Sequence, residues 1–300
     1  MIISQLPKYC GVSVIDNNTS YSFADLSKQI EFYKININIH IKNHETVVIR
    51  SDYNFYSISL FLSLLDKSIN IVPLIKSSEK EFEDKLNSCN PSKIISLNKK
   101  GNFKIIKTKH KYDKSFKMDE VYSKSDTGLI LFSSGTSGAP KLMIQNLSSL
   151  ISNLTTPKRQ KKLVFLLFLM FDHIGGLNTL LNCLINGSTI VIPKDRNPNT
   201  IIKEMSINDV NVLPTSPTFL NLMLMDETFI NADLSSLRLV TYGTERMSAN
   251  LLKRLNHSLP KVRFLQTFGT SETGILKTKS KSSNSLFFKI EDPEKEYKII

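Results

Sequence analysis

Along the chain, short and nearly unbroken apolar runs rich in Val and Ile alternate with longer stretches in which apolar residues recur every three or four positions. The first pattern fits a strand buried on both faces, and the second fits a helix with one buried stripe. Residues 45–50 (ETVVIR), 69–74 (INIVPL), 93–97 (KIISL) and 127–132 (TGLILF) are predicted strands, with predicted helices over 54–66 and 79–88. The rhythm resumes with strands at 163–168, 188–193, 210–213, 237–242 and 262–267. Helices over 175–186, 200–207, 217–225 and 249–257 separate them. Strands alternating with helices imply parallel sheets covered on both faces. The expectation is an α/β chain of two parallel-sheet, helix-flanked subdomains, one per half: residues 1–160 and 161–279.

Two stretches break the rhythm. Residues 99–125 are rich in Lys and poor in apolar runs, so a solvated excursion between the halves is expected there. Residues 280–284 form a second polar loop, and 286–300 (LFFKIEDPEKEYKII) alternate like strands of a small antiparallel unit. Residues 280–300 are therefore expected to begin a small β subdomain that is incomplete, with the sequence stopping inside a domain.

With 41% hydrophobic and 22% charged residues, the 300-residue chain has the composition of a globular protein. Its net charge of +12 would suit an anionic partner. The basic residues are spread evenly, however, and Asn and Ile are conspicuous beside Lys, as AT-rich codons would give. Base composition accounts for the charge without a nucleic-acid partner. Cys10, Cys89 and Cys183 are dispersed and include no CxxC pair, so neither a disulfide framework nor a zinc knuckle is expected. The start lacks a basic segment followed by an apolar one, and the apolar runs fall short of the ~20 residues of a membrane-spanning helix. A cytoplasmic protein without a transmembrane segment is the expectation. His40 and His44 stand four apart with no Cys nearby and only Glu45 as an adjacent carboxylate, which fits surface residues better than a metal pair. The basic run at 157–162 (PKRQKK) is expected to be a solvated loop, with attraction for a phosphate-bearing or acidic partner as the alternative.

Glycine is scarce, and its placement carries the chemistry. Seven of 11 glycines fall in four windows, each at or just after the C-terminal end of a predicted strand. Ligands bind at that edge of open parallel sheets, and glycine lets the backbone approach them. The first window, residues 133–141 (SSGTSGAPK), joins hydroxyls, two glycines and a lysine. Its backbone N–H groups can form an anion nest, Ser134, Thr136 and Ser137 can donate to phosphate oxygens, and Lys141 adds a positive charge. The Walker pattern does not fit, because Pro140 stands where its second glycine belongs.

This window resembles the signature [ST]-[SG]-G-[ST]-[TS]-G-x-P-K of the adenylate-forming superfamily of acyl-CoA synthetases, luciferases and peptide-synthetase adenylation domains. The resemblance runs from about Tyr21 to the last residue and extends to the fold, the two subdomains of that family's large domain. It assigns Ser133, Ser134, Gly135, Thr136, Ser137, Gly138 and Lys141 to the phosphates. The second window, residues 170–177 (MFDHIGGL), resembles the family's H-x-x-G segment, which implies that His173 gates or lines the carboxylate site. Asp172 directly precedes that His, which favours a plain carboxylic acid over an amino acid. The third, residues 241–247 (TYGTERM), resembles a turn bordering adenine and acyl tunnel, and so implies Gly243, Thr244 and Glu245. Thr244 stands where the family has a small residue, and Glu245 serves equally well as an acid at a helix N-terminus. The fourth, residues 266–274 (QTFGTSETG), resembles Y-G-x-[TS]-E. It implies that Phe268 stacks on adenine, Gly269, Thr270 and Ser271 approach the α-phosphate, and Glu272 holds Mg²⁺.

The resemblance implies ATP and Mg²⁺, and coenzyme A or phosphopantetheine as co-substrate, with a carboxylic acid and an acyl carrier protein as partners. Catalysis is implied for His173, Lys141 and Glu272. In complete family members a ribose-binding Asp, a hinge and a small C-terminal domain with a catalytic Lys follow. Without them these 300 residues are expected to turn over slowly or not at all. An amino-acid adenylation domain and a non-catalytic nucleotide-binding remnant are the alternatives; a basic nucleic-acid binder would leave the glycine pattern unexplained.

Overall fold

The computed structural model describes residues 2–108, 126–133, 140–154, 162–270, 274–276 and 278–291. Its first strands, β1 (Val12–Asp16) and β2 (Thr19–Ser22), form a hairpin turned by Asn17 and Asn18, both at positive φ. Asn tolerates that left-handed backbone better than most residues. Then follow α1 (Phe23–Ile37), β3 (Thr46–Arg50), α2 (Phe55–Ser63), β4 (Asn70–Leu74) and α3 (Glu79–Cys89). This half closes with β5 (Lys93–Leu97), β6 (Phe103–Lys107), β7 (Gly128–Ser133), β8 (Lys141–Asn146) and α4 (Leu147–Leu154). Six of these strands make one sheet in the order β6-β5-β3-β4-β7-β8, parallel in the middle and antiparallel at both edges.

The second half runs through β9 (Val164–Leu166), α5 (Ile174–Ile185), β10 (Thr189–Ile192), α6 (Pro198–Ile207), β11 (Val212–Thr215) and α7 (Pro217–Met225). It continues through α8 (Thr228–Asn231), β12 (Leu239–Tyr242), α9 (Ala249–Ser258) and β13 (Arg263–Gln266). The seven-stranded sheet is ordered β13-β12-β11-β9-β10-β1-β2 and is parallel except for β2. Two short antiparallel pairs end the described chain: β14 (Phe268–Thr270) with β15 (Gly274–Leu276), and β16 (Thr278–Ser280) with β17 (Phe288–Ile290).

The two mostly parallel sheets flanked by helices are those expected from the apolar rhythm. Three features differ. The hairpin β1–β2 is first in sequence but lies in the second sheet, where Val14 pairs with Ile190, so the sheets do not divide cleanly one per half. Within the stretch expected to be an excursion, β6 forms an edge strand on β5; its exposure explains why it lacks an unbroken apolar run. Residues 141–154, left without an element in the strand-helix rhythm, supply β8 and α4.

Side-chain alternation sorts the strands between layers. Val47, Ile49, Ile71 and Leu129 of the first sheet and Val14 and Ile190 of the second meet α1, α2 and α5 in one cluster between the sheets. On the far side of the first sheet, Val48, Val72 and Ile130 pack on Phe82 of α3. On the far side of the second, Leu166, Val191, Leu213 and Val240 pack on α6, α7 and α9. The result is helix, sheet, helix, sheet, helix. Arg196, just before α6, joins the sheets: Nη1 and Nη2 donate to the Asp52 carboxylate at 2.7 and 3.3 Å, and Nε donates to the Phe168 carbonyl at 2.7 Å. A planar guanidinium fork suits a carboxylate better than a lysine would.

Candidate active site

Helix starts fix the geometry of the site. Ser216 caps α7 and Ser248 caps α9, each accepting a backbone N–H three residues on. At α5 the cap is His173, whose Nδ1 accepts the Gly175 N–H at 3.0 Å. With Nδ1 accepting, the neutral ring carries its proton on Nε2. Burial lowers the His173 pKa, and the neighbouring Asp172 carboxylate opposes this only in part. The imidazole therefore favours its neutral form. Gly176 is required here: a Cβ would lie 2.3 Å from the Met170 carbonyl oxygen and 2.9 Å from that of Leu169. The chain thus turns from 169–170 into α5 at backbone contact distance.

Between α5 and the inner face of the second sheet lies a cavity of about 270 Å³. One wall is α5, with His173, Gly175, Asn178, Asn182 and Asn186. The facing wall is Phe165, Val212, Pro214 and Leu239, with Thr241. Gly243, Thr244, Phe268 and Gly269 close one end. Gly243 leaves space that a Cβ would take from Thr267, whose Oγ1 would be 2.7 Å away. Phe268 is 42% exposed, and its ring lies 5.9 Å from that of Phe288 at 30°. An accessible aromatic ring beside glycine backbone fits a flat purine.

Of the residues proposed from sequence, His173, Gly243, Thr244, Phe268 and Gly269 thus line one cavity at the C-terminal end of the second sheet. Ser133 and Lys141 pair directly across β7 and β8, holding the two ends of the first window together, with Lys141 exposed. Ser134, Gly135, Thr136, Ser137 and Gly138 lie outside the described residues, as do Ser271, Glu272 and most of the basic run at 157–162. Thr270 continues β14 in the backbone. Glu245 does not line the cavity: its carboxylate accepts the Thr218 N–H at 3.2 Å and the Thr218 hydroxyl, capping the start of α7. Thr244 sits at φ +69°, and its hydroxyl donates to the Gly243 carbonyl.

Asp172 is not among the residues that line the cavity; burial raises its pKa, and the Lys85 charge and nearby backbone N–H groups oppose this only in part. Sequence reasoning passed over Asn178, Asn182 and Asn186. They are spaced i, i+4, i+8 on an otherwise apolar helix, and that periodicity would have found them.

A family model described as AMP-binding enzyme matches residues 46–295. The chain belongs to this family. Among curated relatives of this AMP-binding chain, the D-alanine–D-alanyl carrier protein ligase of Bacillus licheniformis is 28% identical over 58% of the chain and 38% of its own length. A probable CoA ligase of Humulus lupulus is 30% identical over 51% of the chain and 29% of its own length. The chain thus spans well under half the length of these relatives. The luciferase-like enzyme of the nonluminescent mealworm Zophobas morio superposes with a TM-score of 0.73 at 18% identity, over 92% of this chain and 72% of that one, and shows the fold. Among the described residues no helix is long and apolar enough to cross a membrane.

Proposed function

We propose that this AMP-binding chain holds the nucleotide and acyl sites of a ligase that uses ATP to activate a carboxylic acid as acyl-AMP. The observation that carries the reading is convergence: three glycine windows far apart in sequence, at His173–Gly175, Gly243–Thr244 and Phe268–Gly269, line a single cavity. The reaction is attack of the substrate carboxylate on the α-phosphorus of ATP, with pyrophosphate leaving. Transfer of the acyl group to a thiol, of coenzyme A or of a carrier protein's phosphopantetheine, follows. Phe268 would stack on adenine, with Gly243 and Gly269 giving the ring close backbone approach. The Nε2–H of neutral His173 would donate to the acid's carboxylate and hold it for in-line attack, which is positioning rather than proton transfer. The loop between Ser133 and Lys141 would cradle the phosphates, and Glu272 would bind Mg²⁺, which neutralises charge developing on them.

The carrier protein ligase among the relatives makes an amino acid the second reading. That reading needs a carboxylate at the acyl cavity for the substrate ammonium. Asp172 is not among the residues that line the cavity, which supports an acid without an α-amino group. The test is the melting temperature of the chain with non-hydrolysable acyl-sulfamoyl-adenosines bearing fatty, aryl or aminoacyl groups. A ligand at ~100 times its Kd stabilises by about 2.7 kcal/mol, or roughly 4 °C here. The shift should vanish in Phe268→Ala. Absence of any shift in the folded chain would remove the proposal, and a shift confined to aminoacyl analogues would favour the second reading.

A further inference from the structure

Helix α5 lies in the middle layer, between the sheets, and its side chains are sorted in one way. From Ile174 to Ile185 every residue is buried except Asn178 and Asn182, and Asn186 at the C-cap continues their line. These three residues line the cavity. The helix therefore keeps accessible surface only along an asparagine stripe that faces the space assigned to the acyl group. The stripe is ordered. Nδ2 of Asn182 donates to the Asn178 carbonyl at 2.8 Å, and Nδ2 of Asn186 donates to the Asn182 carbonyl at 2.7 Å. Each amide nitrogen gives one N–H to the helix, and Oδ1 of Asn182 and of Asn186 is left as an acceptor with no donor among the described residues. The Asn178 side chain has no partner there at all. The opposite wall is apolar, Phe165, Val212, Pro214 and Leu239, with the Thr241 hydroxyl between it and the nucleotide end.

We infer that the acid taken by this site carries hydrogen-bond donors, hydroxyl or amide N–H, along one edge and an apolar face on the other, rather than being a plain saturated fatty acid. The inference rests on the adenylation reading above, and it makes Asn178, Asn182 and Asn186 the specificity-determining residues. The spacing carries it further. From Gly175 to Asn186 the helix rises about 16 Å, and successive asparagines stand about 6 Å apart. Donors at more than one depth can therefore be met. A saturated chain lying in the cavity would displace water from these carbonyl oxygens and return nothing. Each group stranded in this way costs roughly ten- to a hundredfold in affinity. A substrate hydroxyl would restore the bond while its carbon skeleton covers Phe165 and Leu239. Sites built on hydrogen bonds reject isosteres that lack them more strongly than apolar sites reject added hydroxyls.

The experiment measures dissociation constants of the full chain by calorimetry for matched acyl-sulfamoyl-adenosines. The pairs are a straight-chain acyl group against its ω-hydroxy counterpart, and benzoyl against its para-hydroxy counterpart. Sulfamoyl-adenosine without an acyl group is the reference. The expected result is at least about tenfold tighter binding of the hydroxylated member of one pair. That preference should be lost or reversed in Asn182→Leu and reduced in Asn178→Leu. Asn182→Gln, which keeps an amide, should retain part of it. Binding of the bare nucleoside with no preference in either pair, or a preference unchanged in Asn182→Leu, would overturn the inference and leave the adenylation reading intact. No binding of any analogue, the bare nucleoside included, would remove both.

Discussion

Replacing His173 tests the start of α5 and the state of its imidazole together. Among the described residues Nδ1 is the side-chain acceptor at that cap, and it accepts the Gly175 N–H at 3.0 Å. His173→Ala leaves the N–H without this partner, a loss typical of N-caps at about 1 kcal/mol. For a chain of this size that is about 1.5–2 °C in Tm. His173→Asn restores a side-chain oxygen suited to the cap and should recover most of the loss. The same bond makes a prediction about pH. Burial lowers the folded-state pKa of His173 below the ordinary value of about 6.5. Between those two values the unfolded chain binds the additional proton. The stabilisation is therefore complete above about pH 6.5 and falls away as pH drops through the folded value. Asp172, its carboxyl pKa raised by burial, has the opposite dependence, but it is present in both wild type and His173→Asn. Thermal melts of wild type, His173→Ala and His173→Asn at about pH 7.5 and pH 5.5 separate these contributions. Wild type should lose ground to His173→Asn on acidification. If His173→Ala melts with wild type at the higher pH, or the gap between wild type and His173→Asn stays constant, the cap reasoning is refuted.

Gly176→Ala should destabilise by about 2–3 kcal/mol, read from urea unfolding, because its Cβ would meet the Met170 and Leu169 carbonyls, and backbone cannot swing aside. Lys93 and Glu45 form a largely buried ion pair, 7% and 16% exposed. Glu45→Ala should therefore cost about 3 kcal/mol, and the double variant with Lys93→Met much less, in a double-mutant cycle. A single variant as stable as wild type would show the pair is hydrated. Thr244→Gly should raise stability by about 0.5–1 kcal/mol in the same denaturation assay, since a β-branched residue at φ +69° is relieved by glycine; a loss would mean its hydroxyl contact matters more.

The strands at the centre of both sheets were legible because burial on two faces leaves an unbroken apolar run, as in 69–74 and 237–242. Glycine placement located the site for a similar reason: a scarce residue at strand ends marks backbone that must approach something closely. Edges were harder to see. Strand β6 flanks the pair Ile105 and Ile106 with Lys104 and Lys107 and is exposed on much of its surface, so its sequence resembles loop. The placement of β1 could not be read locally, because Val14 finds its partner Ile190 through the topology of the whole chain. The asparagine stripe was hidden by abundance. Asn is common throughout this sequence, and only the helical register separates the three that line the cavity from the rest. Glu245 shows the converse, since its two readings were equally good until Thr218 was placed beside it.

The far partner of the first hairpin has a consequence in time. At the ribosome's pace, the roughly 175 residues between Val14 and Ile190 take about 9–35 s to emerge. The first sheet with its helices can assemble during that interval. The hairpin cannot, and one row of its backbone N–H and C=O groups stays open until β10 arrives. Two nascent chains in proximity could satisfy each other's open rows instead. Slower initiation or a lower growth temperature should thus raise the soluble yield more than changes to the surface of the finished molecule.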